Sequence, residues 1–230
     1  MIGVLVNTFT VLLGSSIGLL FKKLISKKIC DAVMVAIGAC TIYVGINGLV
    51  GDNVLITIVS MVIGVIFGTI INIDGLINSF GDFIKNKINN STAAFTQGFV
   101  SGSLLFCVGA MTITGSIASG INGDNSIIYA KSLLDLVSSA MLTSALGFGV
   151  MVSAVFVFVF QSFLVLISSF VAPLLSDALV NEITCVGSVI IILLGINILG
   201  IGKFKIADFL PAILICPIIY YLFVFLSSSF

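Results

Sequence analysis

A chain of 230 residues that is 60% hydrophobic, 8% charged and formally neutral, with a mean hydropathy of +1.35, is an integral membrane protein, because so few charges cannot cover a soluble fold. It has no histidine, arginine or tryptophan, which excludes His-ligated metal sites, Ser-His and Cys-His nucleophiles, and arginine clamps on phosphate. The five cysteines, Cys30, Cys40, Cys107, Cys185 and Cys216, contain no C-x-x-C pair and read as small buried hydrophobes.

The fold class is all-α, a polytopic membrane bundle, since barrel strands would run to about 10 residues with dyad alternation. Residues 2–21 form the first predicted span, and Lys22 and Lys23 follow it, which marks a retained helix rather than a cleaved signal. Asn7, Thr10, Gly14 and Gly18 share one of its faces. Spans at 32–50 and 54–73 come next, the latter with Ser60, Gly64, Gly68 and Asn72 at every fourth residue. The G-x-x-x-G pairs Gly14/Gly18 and Gly64/Gly68 are packing faces that permit a homodimer without requiring one. INSFGDFIKNKINNS, residues 77–91, reads as an amphipathic interfacial loop with no chemistry.

A span at 93–118 leads into FCVGAMTITGSIASGINGD, residues 106–124, where glycines and hydroxyls interrupt an otherwise apolar run. A break at membrane depth survives only where protein or water supplies hydrogen bonds to the freed backbone, so this stretch is expected to unwind beside a polar cavity, with small-residue packing as the alternative. Residues 127–173 as one helix would reach about 70 Å, more than twice the hydrocarbon thickness, so a turn is placed at Gly147 and Gly149 in LGFGV. Spans at 127–149, 150–172, 184–199 and 208–226 then give about eight transmembrane segments. In a seven-crossing alternative, residues 93–120 re-enter on one side and 127–173 is a single kinked span.

Lys22, Lys23, Lys27, Lys28, Lys85, Lys87, Lys203 and Lys205 fall in three connections, which the positive-inside rule makes cytoplasmic. The other connections, 51–53, 120–126 and 174–183, hold Asp52, Asp124, Asp177 and Glu182 and no lysine, so the N-terminus lies outside. VGINGLVG (44–51) and LGINILGIG (194–202) place the same G-I-N 150 residues apart, and DAVMVAIGACTIYVGINGL resembles NEITCVGSVIIILLGINIL with a one-residue gap. The charges give the two copies opposite directions. A single membrane domain, 1–230, therefore divides into a first repeat (1–76), a cytoplasmic loop with a central broken-helix pair (77–149) and a second, inverted repeat (150–230).

Lys131 and Asp135 lie one helical turn apart and can pair, and the face continues through Ser138, Ser139 and Thr143. An ionised Asp at a helix centre costs about 2.5–3.5 kcal/mol on insertion scales, so Asp135 is the first candidate for a functional carboxylate, with a structural ion pair as the alternative. Lys131 can neutralise it, snorkel outward or attract an anion. Gly109, Met111, Thr112 and Thr114 supply backbone and side-chain ligands at the break, Ser138 and Ser139 extend the stripe, and Asn7 is an amide that needs a partner.

FCVGAMTITGS, GINGD, KSLLD and LGFGV, spanning 106–150, together with VNTFTVLLGSSIG in the first span, resemble the YdfK/YqgA-like family of bacterial membrane proteins. The family is one of unknown function in which transport is often supposed. The resemblance implies location and a shared architecture over nearly the whole chain. It draws attention to Gly109, Met111, Thr112, Gly115, Asp124, Lys131 and Asp135 without giving any of them a role.

The functional expectation is a secondary transporter in the bacterial inner (cytoplasmic) membrane, multi-pass, moving a small polar solute or ion by alternating access. Its partners are the lipid bilayer and that solute. No nucleic acid, cofactor or enzymatic activity is expected, no metal is assigned, and no G-x-x-x-x-G-K-[ST] loop is present for nucleotide. A passive channel and a non-catalytic assembly or sensor subunit are the alternatives.

Overall fold

The computed structural model is all-helical and describes residues 1–24, 27–76, 79, 92–107, 110–171, 173 and 175–227. In chain order the elements are α1 (Ile2–Leu24), α2 (Lys27–Asn47), α3 (Val54–Ile71), α4 (Thr92–Cys107), α5 (Ala110–Asn122), α6 (Ser126–Leu146), α7 (Phe148–Val171), α8 (Asp177–Ile198), a 3-10 turn (Ile206–Phe209) and α9 (Pro211–Ser227). The expected interfacial loop at 77–91 lies outside the described residues apart from position 79.

Among the described residues, five stretches are long and apolar enough to cross a membrane: Ile2–Phe21, Val54–Ile71, Phe148–Phe170, Asp177–Ile198 and Ile206–Leu226. A sixth arises if the bent pair α4–α5 counts as one span. The difference from eight lies in α2, whose apolar described part is the shorter Met34–Asn47, and in α6, which carries the charged pair. Phe170, Leu214 and Ile70 stand among many large apolar side chains on the outside, a surface that only lipid covers favourably.

The expected turn between α6 and α7 is present. α6 ends at Leu146, Gly147 adopts φ +82° and ψ −153°, and α7 starts at Phe148. That conformation belongs almost solely to glycine, so one residue makes the whole connection.

α8 begins at Asp177, not near 184. Ser176 caps it, its hydroxyl accepting the Leu179 N–H at 3.2 Å, and Glu182 is thereby moved from an outer loop into a buried helical position. α3 is capped in the same way by Asn53 and ends on Asn72, a left-handed residue whose N–H returns to Gly68 and Thr69.

Glycines set the helix register. α1 and α6 run parallel, with Gly14 against Leu136 and Ser139, Gly18 against Ala140 and Thr143, and Gly3 beside Asn125. α4 and α5 follow α7 from end to end: Gly98 lies on Val150, Gly102 on Ser153, and Gly120 on Val165 and Ser168. The bent pair therefore accompanies α7 over its length and does not turn back. Phe95, Phe99, Phe156 and Phe160 form an aromatic column along α4 and α7, with centroids 6.1–6.3 Å apart.

The α2–α3 and α8–α9 hairpins pack antiparallel. A Cβ on Gly45 would stand 2.6 Å from Ile192 Cγ1 and 2.9 Å from the Ser188 carbonyl, and one on Gly195 would stand 2.6 Å from Ile42 Cγ1 and 2.9 Å from the Gly38 carbonyl. Below them Ser60 faces Cys216, Gly64 meets Ala212 and Gly68 meets Asp208. Both G-x-x-x-G faces are therefore filled from within the chain. The asparagines of the two G-I-N copies differ: Asn47 donates to Tyr43 in its own helix, whereas Asn197 bonds both the N–H and the carbonyl of Phe204.

Candidate functional site

Four buried polar side chains, Asn7, Lys131, Asp135 and Gln161, meet where α1, α6 and α7 pack. α6 brings Lys131 and Asp135 into direct ionic contact, and both are buried. α1 contributes Asn7, fully buried, whose Nδ2 donates to Gln161 Oε1 on α7 at 3.1 Å. The Asn7 amide also faces the Asp135 carboxylate. Glycine packing of α1 on α6 is what carries Asn7 to that depth.

Two atoms of the cluster have no partner: Asn7 Oδ1, an acceptor, and Gln161 Nε2, a donor. An unsatisfied buried amide group costs about 1–3 kcal/mol. The arrangement can therefore receive a species that offers a donor and an acceptor together, beside a carboxylate already balanced by an ammonium.

Of the residues expected from sequence, the structure unites Asn7, Lys131 and Asp135. Ser139 is buried one turn along but bonds the Leu136 carbonyl at 3.0 Å and packs on Gly14, while Ser138 is half-buried. Thr112 is buried and donates across the break to the Phe106 carbonyl at 3.1 Å, tying α5 back to α4. Thr114 is half-buried, and Met111 is 39% exposed, so Met111 belongs to the outer surface and not to the cluster. Gly109 lies outside the described residues. Gln161, which sequence reasoning missed, is an amide within FVFVFQSFLVL, and its signal was that single polar interruption of an apolar run.

α4 and α5 are bent by 58° at the break. Cys107, the last residue of α4, is buried close enough to Lys131 and Asp135 to sense both charges. On its other side opens a cavity of about 280 Å3 lined by Phe99, Leu104, Ile113, Phe156, Phe160 and neighbouring apolar residues. Cys107 and Ile113, on either side of the break, thus line an apolar cavity, where sequence suggested a polar one. Among the described residues no three His, Cys, Asp or Glu side chains come together as a metal site requires.

The N-terminal end of α6 is fixed by Asn125, between α5 and α6. Its Oδ1 accepts from the Gly3 N–H at 3.1 Å and the Ser119 hydroxyl at 2.8 Å, and its Nδ2 donates to the Gly123 carbonyl at 2.9 Å. Next to it, Asp124 Oδ1 accepts from the Ser126 N–H at 2.9 Å and the Ser126 hydroxyl at 2.6 Å. Those two bonds, the hydroxyl first, hold the Asp124 carboxyl below the ordinary carboxylate range.

Residues 2–221 match the family model described as "Protein of unknown function (DUF554)". The chain belongs to that family. This DUF554 chain is 34% identical over 224 residues to the "Uncharacterized membrane protein YdfK" of Bacillus subtilis (strain 168), covering 95% of each sequence. It is 26% identical over 220 residues to the "Uncharacterized protein YqgA" of Escherichia coli (strain K12), covering 93% of this chain and 94% of the relative. No solved structure matches it. With its apolar helices and bacterial relatives, the DUF554 chain is a multi-pass membrane protein in contact with the lipid bilayer.

Proposed function

We propose that the chain is a secondary transporter of the bacterial inner membrane that moves a small polar solute or ion by alternating access between two inverted halves, crossing the membrane eight times. The observation that carries this reading is the buried cluster of Asn7, Lys131, Asp135 and Gln161, with unused amide atoms at its centre and a broken helix at its side. Ionisable groups at membrane depth are rare, and they mark ion or substrate paths by default. The reciprocal packing of α2–α3 on α8–α9 supports inverted halves, as does the opposite direction of the two G-I-N copies.

In this reading Asp135 takes the coupling proton or cation when Lys131 releases it, Asn7 and Gln161 contact the solute, and the α4–α5 break is where one half bends. The test is uptake by purified protein in liposomes, screened across amino acids, small organic anions and monovalent cations, with and without a pH gradient. Transport by the native chain that is lost in a correctly inserted Asp135→Asn variant supports the carrier. Failure of every candidate to move, in a folded preparation, rejects it.

The closed contact between Lys131 and Asp135 favours a second reading, in which the pair locks helices of a non-catalytic assembly or sensor subunit. A double apolar replacement that leaves the cell phenotype of the native chain intact supports that reading.

A further inference from the structure

Glu182 is the chain's single glutamate, 2% exposed on α8 at the end of the molecule where α3 begins. Its Oε1 accepts the Asn53 N–H at 2.8 Å, while Oε2 has no partner. Gly51 packs directly beside Oε2: a Cβ there would stand 2.8 Å from Oε2 and 2.9 Å from Cys185 Cβ. Thr57, one turn into α3 from Asn53, is buried with a hydroxyl that also has no partner.

Among the described residues, the groups packed around this carboxylate carry no positive charge. α8 itself offers Cys185, and α9 offers Cys216, which lies within electrostatic reach of Glu182 and faces the Ser60 hydroxyl of α3. The connection between α2 and α3 brings Asp52, and the start of α8 brings Asp177, both exposed. Lys131 is held by Asp135, and Lys203 and Lys205 follow the opposite end of α8. A carboxylate buried without a counter-charge is costly, and protein structures relieve it with a bound cation or a proton.

We infer that Glu182 anchors a second ligand site, separate from the Lys131–Asp135 cluster, which takes up one small monovalent cation, a sodium ion or a proton. One carboxylate matches one charge, and the Asn53 N–H occupies Oε1, so that Oε2 is the atom left for the ligand. Asp52 and Asp177 stand outside as an acidic approach.

Two measurements on the full chain in detergent test this. In the first, thermal unfolding is compared in sodium chloride and in choline chloride at equal ionic strength. In the second, a hydrophobic carbodiimide, which attacks protonated carboxyls, is mapped onto peptides by mass spectrometry across a pH series. A Tm raised by sodium in the native chain and insensitive to it in Glu182→Gln identifies sodium. An adduct on Glu182 that fades as pH rises identifies the proton.

Glu182→Gln keeps an oxygen for the Asn53 N–H, so the fold is retained. Gly51→Ala keeps the carboxylate but crowds Oε2, and is expected to weaken whichever signal is found by several-fold. Equal cation sensitivity in native and Glu182→Gln protein, together with no adduct on Glu182, overturns the inference. Neither readout involves solute uptake, so the carrier and this site fail independently.

Discussion

Gly45 and Gly195 are packed in matching surroundings: each sets its bare backbone against an isoleucine and a carbonyl of the other's helix, at the same 2.6 and 2.9 Å from where a Cβ would be. Exchange of α2 with α8 maps one contact onto the other. The expectation is that Gly45→Ala and Gly195→Ala are destabilising by similar amounts, about 1–3 kcal/mol each, as overpacking of a close interface dictates. Unfolding in detergent, followed by a thiol-reactive dye that reports the buried cysteines, measures both. A large effect at one site and none at the other would break the equivalence.

Removing one member of the Lys131–Asp135 pair leaves a buried charge alone. Lys131→Met and Asp135→Leu are each expected to lose about 3–5 kcal/mol, and the double variant to recover most of it, because two apolar side chains of similar volume suit this environment. Stability of the two single variants and the double variant in one detergent provides the cycle. Additive losses would show that the two groups do not depend on one another.

Gln161→Met takes away the Asn7 amide's acceptor on α7 and leaves Nδ2 with only the Asp135 carboxylate to face. The cost is expected at about 1–3 kcal/mol, with the parallel α1–α6 contact preserved. Cysteine crosslinks between α1 and α7, compared with crosslinks between α1 and α6, separate the two effects: only the former should weaken.

Ala at position 147 would have to hold φ +82° with ψ −153°, which L residues avoid, so Gly147→Ala is expected to cost about 1–3 kcal/mol. The glycine two positions later makes a useful contrast. Gly149 presses on the Phe95 carbonyl without needing positive φ, so its replacement separates α4 from α7 and leaves the turn intact.

Asp124 gives a pH signature. Its folded carboxyl is held low by Ser126, so it adds stability that is present above the carboxyl's ordinary range and lost as pH falls through the folded value. Thermal unfolding of native and Asp124→Asn protein is expected to differ at neutral pH and to converge in acid. Curves that stay parallel into acid would show that the Ser126 bonds do not favour the charged form.

Much of this architecture was legible because hydrocarbon leaves few choices. The need for a turn between α6 and α7 followed from length and its place from Gly147 and Gly149, and the Lys131–Asp135 pair followed from one-turn spacing in a helix too apolar to tolerate a lone charge. Asn7 was found for the same reason. Glu182 was misread because charged residues were assigned to water. S-D-A-L at 176–179 carries an N-cap pattern that starts the helix earlier and takes the glutamate inside. That Met111 faces outward was not legible, because a break in sequence does not reveal which way its flanking side chains face. That Gln161 would meet Asn7 depends on the antiparallel register of α1 and α7, which no local pattern encodes.

The single-residue hinge at Gly147 has a mechanical corollary. α6 and α7 are joined with no slack at that end, while Asp135 and Gln161 sit further along the two arms of the hairpin. Any motion that parts the carboxylate from the amide has to open the arms at their free ends, where Asn125 staples α6 to α1 and α5. Any opening between these two helices is therefore set by a fulcrum at Gly147, at the end opposite the Asn125 staple.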